Sequence, residues 1–171
     1  MALTYGGKDA EIRNTDLNFF CKADWANNSD QKSVNGYVVI IARGAVAWSS
    51  KKQQTVALST AEAEYIAATH ITKQVLWHHS LYQELNFTLP STSTIFTDNQ
   101  AAIAISHHPE FHACTKHINI NYHFLWDLIF TGTINTVYVN TNDNLADLFT
   151  KGFSCERHGD LTHRIGVLAP E

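Results

Sequence analysis

The sequence predicts an α/β fold with a mixed five-stranded sheet flanked by helices, and three observations lead there. Apolar segments of strand length cluster in the first third of the chain, a long helical pattern follows them, and after it strands and helices alternate. The resulting order, β-β-β-α-β-α-α-β-α, cannot be built from hairpins alone, so later strands must join the sheet through helical crossovers.

Residues 1–16 are polar and glycine-containing and read as a linker, with the domain over 17–153 and a C-terminal tail over 154–171. Strands are expected at Leu17–Ala23, Gly36–Ala42 and Ala45–Ser49, the last two joined at Arg43-Gly44. The strongest element is a helix from Thr60 to Leu85. Ser59 and Glu62 form a capping-box pair at its start, and Glu64, Ala68, Ile71, Val75 and Tyr82 fall near one face. Thr94–Thr97 reads as a short buried strand and Asp98–Ile105 as a helix opening directly after it. A loop over His107–Lys116 leads to a helix over Ile118–Phe130, stopped by Gly132. Ile134–Val139 supplies the last strand and Leu145–Thr150 a short helix.

Composition narrows the function classes. With 171 residues, 44% of them apolar and 16% charged, the chain can bury one core and is not a disordered tail. Twelve basic against 16 acidic residues argue against a polycation that coats nucleic acid, but not against an acidic cluster that recruits cations. Cys21, Cys114 and Cys155 are odd in number and far apart, which fits a reducing, intracellular compartment. The apolar run at 38–42 is much shorter than the ~20 residues a membrane-spanning helix needs, so no membrane partner is expected.

Carboxylates stand where such a scaffold presents chemistry. Asp98 ends a strand, and strand carboxyl ends are the usual place for sites in α/β sheets. Glu64 lies in line with the apolar stripe of the long helix, whereas Glu62, about 200° away around it, has a capping role. Asp147 sits in the last short helix and Asp24 closes the first strand. Grouped acids repel unless a cation compensates them, and hard oxygen ligands suit Mg²⁺ or Mn²⁺. Two such ions about 4 Å apart can drive phosphodiester hydrolysis. Taken singly, an acid like Asp98 is more often an N-cap, and one like Asp147 more often a solvated helix acid, than a catalytic group.

Four strings carry a more specific signal: AVAWSSKKQQTVALSTAEAEYIAAT at 45–69, IFTDNQAAIAI at 95–105, FHACTKHINI at 111–120 and YVNTNDNLADLFTK at 138–151. In this order and spacing they resemble the ribonuclease H domain of copia-type LTR retrotransposon Pol polyproteins, over nearly the whole chain. ALTYGG near the start is similar to the stretch that links the family's reverse transcriptase to this domain. The resemblance implies a ribonuclease H-like fold and cleavage of the RNA strand of RNA–DNA hybrids during reverse transcription. It further implies two Mg²⁺ ions, a reverse transcriptase as neighbour in the same polyprotein and residence in a cytoplasmic virus-like particle. On matching positions it implies Glu64, Asp98 and Asp147 as metal-holding catalytic residues, with Thr150 and Lys151 completing the last motif and His117 as a landmark.

The chain departs from that pattern at the first aspartate. Cys21-Lys22-Ala23-Asp24-Trp25 stands where the family carries its first acid, and Lys22 takes the catalytic position. Strand alternation puts Asp24 on the same face about 7 Å along, as a substitute ligand. Gln31, Cys114 and Trp126 stand in place of family arginines, Asn119 in place of an aspartate, and Asn27-Asn28 in place of Gly-Asp. Transition mutations in a decayed element would account for most of these, and the coding DNA tests that. Three alternatives stand beside the nuclease: a silent connector of the same fold, an integrase core, and zinc binding by His107, His108, His112, Cys114 and His117. The integrase expects a closing glutamate where this chain has Asp147, and the zinc reading lacks a paired CxxC framework.

Overall fold

The structure, a computed structural model, describes residues 2–3, 17–25, 30–87, 90–107 and 119–168. In chain order the strands are β1 (Ala2–Leu3), β2 (Asn18–Asp24), β3 (Val34–Ile41), β4 (Gly44–Lys52), β5 (Ser93–Thr97), β6 (Ile134–Tyr138) and β7 (Val167–Leu168). The α-helices are α1 (Thr60–Glu84), α2 (Gln100–His107), α3 (Asn119–Phe130) and α4 (Cys155–Arg164), with 3₁₀ turns at Thr141–Asp143 and Leu145–Phe149.

Five strands form the expected mixed sheet in the order β4-β3-β2-β5-β6. β2, β3 and β4 are antiparallel neighbours, whereas β5 joins β2 and β6 joins β5 in parallel. β2 alternates strictly, burying Phe19, Cys21 and Ala23 and turning Asn18, Phe20, Lys22 and Asp24 to the other face. Each face has its own core. Phe19, Cys21 and Ala23 pack with Tyr65, Ala68, Ile71 and Val75 of α1, Ile95 of β5 and Leu125 of α3. Across the sheet, Val38 and Ile40 pack with Leu145, Leu161 and Ile165, and Phe20 and Phe149 lean on that cluster.

Several expectations shift. The β3–β4 turn residues are Ala42 and Arg43, both at positive φ (48° and 66°), as a two-residue hairpin turn requires. Gly44 has already entered β4 opposite Ile41. The capping box is half formed: Ser59 Oγ accepts from Glu62 N at 3.1 Å, but Glu62 Oε2 reaches past Ser59 to accept from Leu58 N at 2.6 Å. The short helix expected over Leu145–Thr150 is a 3₁₀ turn, Leu145–Phe149, with Thr150 as its C-cap. Residues expected as a tail form α4, whose Leu161 is wholly buried, and β7, which pairs with β1 at Ala2↔Leu168 and Leu3↔Val167. The packed unit therefore continues past Phe153. Of the histidine and cysteine group weighed for zinc, only His107 lies among the described residues, and its Nε2 is 3.0 Å from Thr136 Oγ1.

Candidate active site

β2 and β5 are paired only at Phe19–Ile95 and Phe20–Phe96. Two residues further along each strand come Lys22 and Asp98, at the carboxyl ends where the ladder between them has ended. The Lys22 ammonium donates to both oxygens of Asp98, at 2.8 Å to Oδ1 and 2.7 Å to Oδ2. It also lies 3.2 Å from Glu64 Oε1, which approaches from α1. Both carboxylates are shielded, with side chains 1% (Asp98) and 3% (Glu64) exposed, so these contacts are little screened by solvent.

Each partner is freed for this role by a neighbour. Asp98 could have capped α2, but Asn99 does so, its Oδ1 accepting from Ala102 N at 3.0 Å. Glu62 is occupied at the start of α1, which leaves Glu64, one turn in, to face β2. Asp147 is brought in by two residues that sequence reasoning passed over. Gly36 is the cross-strand partner of Lys22, and a Cβ there would stand 2.6 Å from Thr150 Cγ2 and 2.8 Å from Ala146 O. Only a glycine lets the 3₁₀ turn settle on the sheet beside Lys22. Asn144, fully buried, fastens the turn: its Nδ2 donates to Cys21 O at 2.9 Å and its Oδ1 accepts from Ala146 N at 3.1 Å. The one available sequence signal was the Asn-containing turn before Leu145, which reads as a loop until its long-range partner is seen.

The electrostatics follow from burial. Desolvation pushes the Glu64 carboxyl up to about 7, with Lys22 opposing the rise and the nearby Asp98 charge adding to it. Burial alone would pull the Lys22 pKa down, but Glu64 and Asp98 outweigh it and the net shift is upward. Asp147 is raised, first by burial and further by Asp98, against the pull of Lys151 and Lys22. Lys151 Nζ is 3.3 Å from Asp147 Oδ1. Glu64, Asp98 and Asp147 thus share one electrostatic neighbourhood, and Lys22 is at its centre. Asp24 lies on the same face of β2, two residues beyond Lys22 at the end of the strand.

A divalent cation would need that central position. The side chains present do not fit one, because the Lys22 ammonium already stands within hydrogen-bonding distance of Asp98 and ion-pair distance of Glu64. Among the described residues, no three His, Cys, Asp or Glu side chains are grouped as a metal-ligand set. An ammonium neutralises carboxylates through its N–H donors but cannot coordinate and acidify a water as a divalent ion does.

Over 153 residues, 89% of its length, the chain is 37% identical to the retrovirus-related Pol polyprotein from transposon RE2 of Arabidopsis thaliana. It is 38% identical over 152 residues to that of transposon RE1 of the same plant, and 37% over 150 residues to that of transposon TNT 1-94 of Nicotiana tabacum. This chain is a ribonuclease H-like domain of the copia-type Pol family. It spans about a tenth of the length of these relatives, 10–11% of each. No protein-family model matches the chain. The fold agrees with the solution structure of the PFV RNase H domain, at a TM-score of 0.53 and 12% identity, covering 91% of this chain and 94% of that one. Within this ribonuclease H-like domain no helix of the described residues is long and apolar enough to cross a membrane.

Proposed function

We propose that this domain engages RNA–DNA hybrid as part of a retrotransposon Pol polyprotein, and that its hydrolytic centre is held shut by Lys22. The observation that carries this reading is the Lys22 ammonium, 2.7–2.8 Å from both Asp98 oxygens and 3.2 Å from Glu64. Ribonuclease H chemistry on a phosphodiester needs divalent ions, Mg²⁺ or Mn²⁺, where that ammonium stands. Lys22 takes the position of the first family aspartate, so the domain retains Glu64, Asp98 and Asp147 but lacks the room for their cation. The natural neighbour is the reverse transcriptase of the same polyprotein, and the natural compartment a cytoplasmic particle. Both suggestions rest on the relatives being Pol polyproteins.

The test is cleavage of an RNA–DNA hybrid in Mg²⁺ or Mn²⁺ by the wild type, Lys22→Asp and the double variant Lys22→Asp/Glu64→Gln. The expected pattern is hybrid binding without cleavage in the wild type, cleavage in Lys22→Asp and its loss in the double variant. Wild-type cleavage that disappears in Glu64→Gln would overturn the silent reading and make Asp24 the substitute ligand.

A further inference from the structure

A second polar site lies on the α1 side of β4. Here a cavity of about 230 Å³ is lined by Lys51, Gln53, Gln54, Thr55, His70 and Lys73, among others. Lys52, also on its wall, is paired with Asp30 at 3.0 Å, so its charge is already met. Among the described residues neither Lys51 nor Lys73 has a carboxylate within ion-pair distance, and both side chains are exposed. Their combined charge reaches His70. After burial, Lys51 and Lys73 are what lower its pKa.

Beneath the lysines, two buried polar atoms lack a hydrogen-bond partner, Gln53 Oε1 and His70 Nδ1. Gln53 is only 4% exposed, and its amide nitrogen is fully used, donating to Asn35 Oδ1 and, at 2.9 Å, to Ala63 O. Turning the amide over would set Oε1 against the Ala63 carbonyl, so the unsatisfied atom is fixed as an acceptor. An acceptor left bare at this depth is costly unless a donor reaches it. The cavity therefore offers two cations and an imidazole to an anion, and an amide oxygen to a hydroxyl.

We propose that this cavity binds a sugar–phosphate unit, with the phosphate on Lys51, Lys73 and His70 and a sugar hydroxyl directed at Gln53. Free ribonucleoside monophosphates and the backbone of a ribonucleic acid strand share that chemistry. The site is separate from the carboxylate cluster, since His70 and Lys73 are six and nine residues beyond Glu64, about 9 and 14 Å along α1. A free nucleotide occupies it whether or not Lys22 closes the centre.

The test follows the His70 ring by NMR while the domain is titrated with inorganic phosphate, adenosine 5′-monophosphate and a short RNA–DNA hybrid. Adenosine monophosphate is expected to shift the His70 resonances and raise its pKa, at least tenfold more tightly than inorganic phosphate. Lys51→Gln/Lys73→Gln is expected to abolish the response, and Arg43→Gln, at the opposite end of the β3–β4 hairpin, to leave it intact. A response to hybrid alone assigns the site to a polynucleotide backbone, and a response to both assigns it to either source. No His70 response to any of the three overturns the proposal, as does a response that survives the double lysine substitution. Equal affinity for phosphate and nucleotide removes the hydroxyl assignment to Gln53. Both lysines are exposed, and far-UV circular dichroism of the double variant checks that it folds. A wild-type domain that binds no hybrid while His70 still responds to nucleotide would overturn the proposed function and leave this site standing.

Discussion

Lys22 and Gly36 face one another across the β2–β3 ladder, and the absent side chain at position 36 makes room for the turn that carries Asp147. The cation and one of its carboxylates are therefore positioned by a residue with no chemistry of its own. Gly36→Ala should cost about 1–3 kcal/mol, as overpacking against backbone does, because the new Cβ meets Ala146 O as well as Thr150. Urea denaturation measures the cost. A stability unchanged from wild type would show that the turn shifts freely and that the close approach is not needed.

Lys22→Asp exchanges an internal cation for a fourth acid, so the variant should depend on external cations. Without divalent ions it should melt below the wild type, since removing one partner of a buried ion pair leaves its carboxylates uncompensated. Mg²⁺ at a hundredfold excess over its dissociation constant should then restore about 2.7 kcal/mol, several degrees in Tm, while the wild type stays flat over the same range. Calorimetry with and without chelator reads this, and equal Mg²⁺ responses in the two proteins would count against a centre filled by Lys22.

Glu64 should make stability fall as pH rises. Its ordinary value is 4.5 and in the fold it stands at about 7, so between these limits the native state binds more protons than the unfolded chain. The stabilisation is present below 4.5 and is lost as pH climbs through about 7, by up to ~3 kcal/mol at ~1.4 kcal/mol per unit. Glu64→Gln should flatten that part of the profile. Parallel stability curves for the two proteins from pH 4.5 to 8 would contradict the assignment.

Asn144→Ala should destabilise by about 1–3 kcal/mol, since it strips a partner from the Cys21 carbonyl and from Ala146 N deep in the fold. Amide exchange should show the local consequence. Protection at Ala146 and Asp147 is expected to drop far more than in β3 and β4. Uniform loss across the sheet would mean that Asn144 stabilises the whole domain rather than this turn.

Leu161→Ala should cost about 2–5 kcal/mol, the usual penalty for emptying a wholly buried leucine site. That outcome would mark α4 as part of the folding unit. A change within ~0.5 kcal/mol would return 154–171 to the status of a tail.

Much of the fold was legible because its signals are local. The 25-residue α1 declares itself through a capping serine and a buried stripe that includes Glu64, Ala68, Ile71 and Val75. Strand alternation alone places Lys22 and Asp24 on one face of β2. The segment of α4 does carry helix signals, Ser154 as N-cap, Glu156 in the first turn and Arg164 in the last, but with Leu161 as its buried residue nothing local says that it packs on the sheet. The exchange of roles between Asp98 and Asn99 was equally hidden, since either residue type caps a helix and only the position of Lys22 separates them.

Composition and periodicity by themselves determined the class of fold and four ordered motifs the family, and the resemblance those motifs carry singled out Glu64, Asp98 and Asp147 as the acids to look for. Tertiary structure decided what those carboxylates hold. Whether Lys22 of β2 turns away into solvent or lies between buried acids depends on where the ends of β2 and β5, one helix turn and one 3₁₀ turn meet. Those distances are set by packing between residues far apart in the chain, 76 positions for Lys22 and Asp98 and 123 for Cys21 and Asn144, which no local pattern encodes.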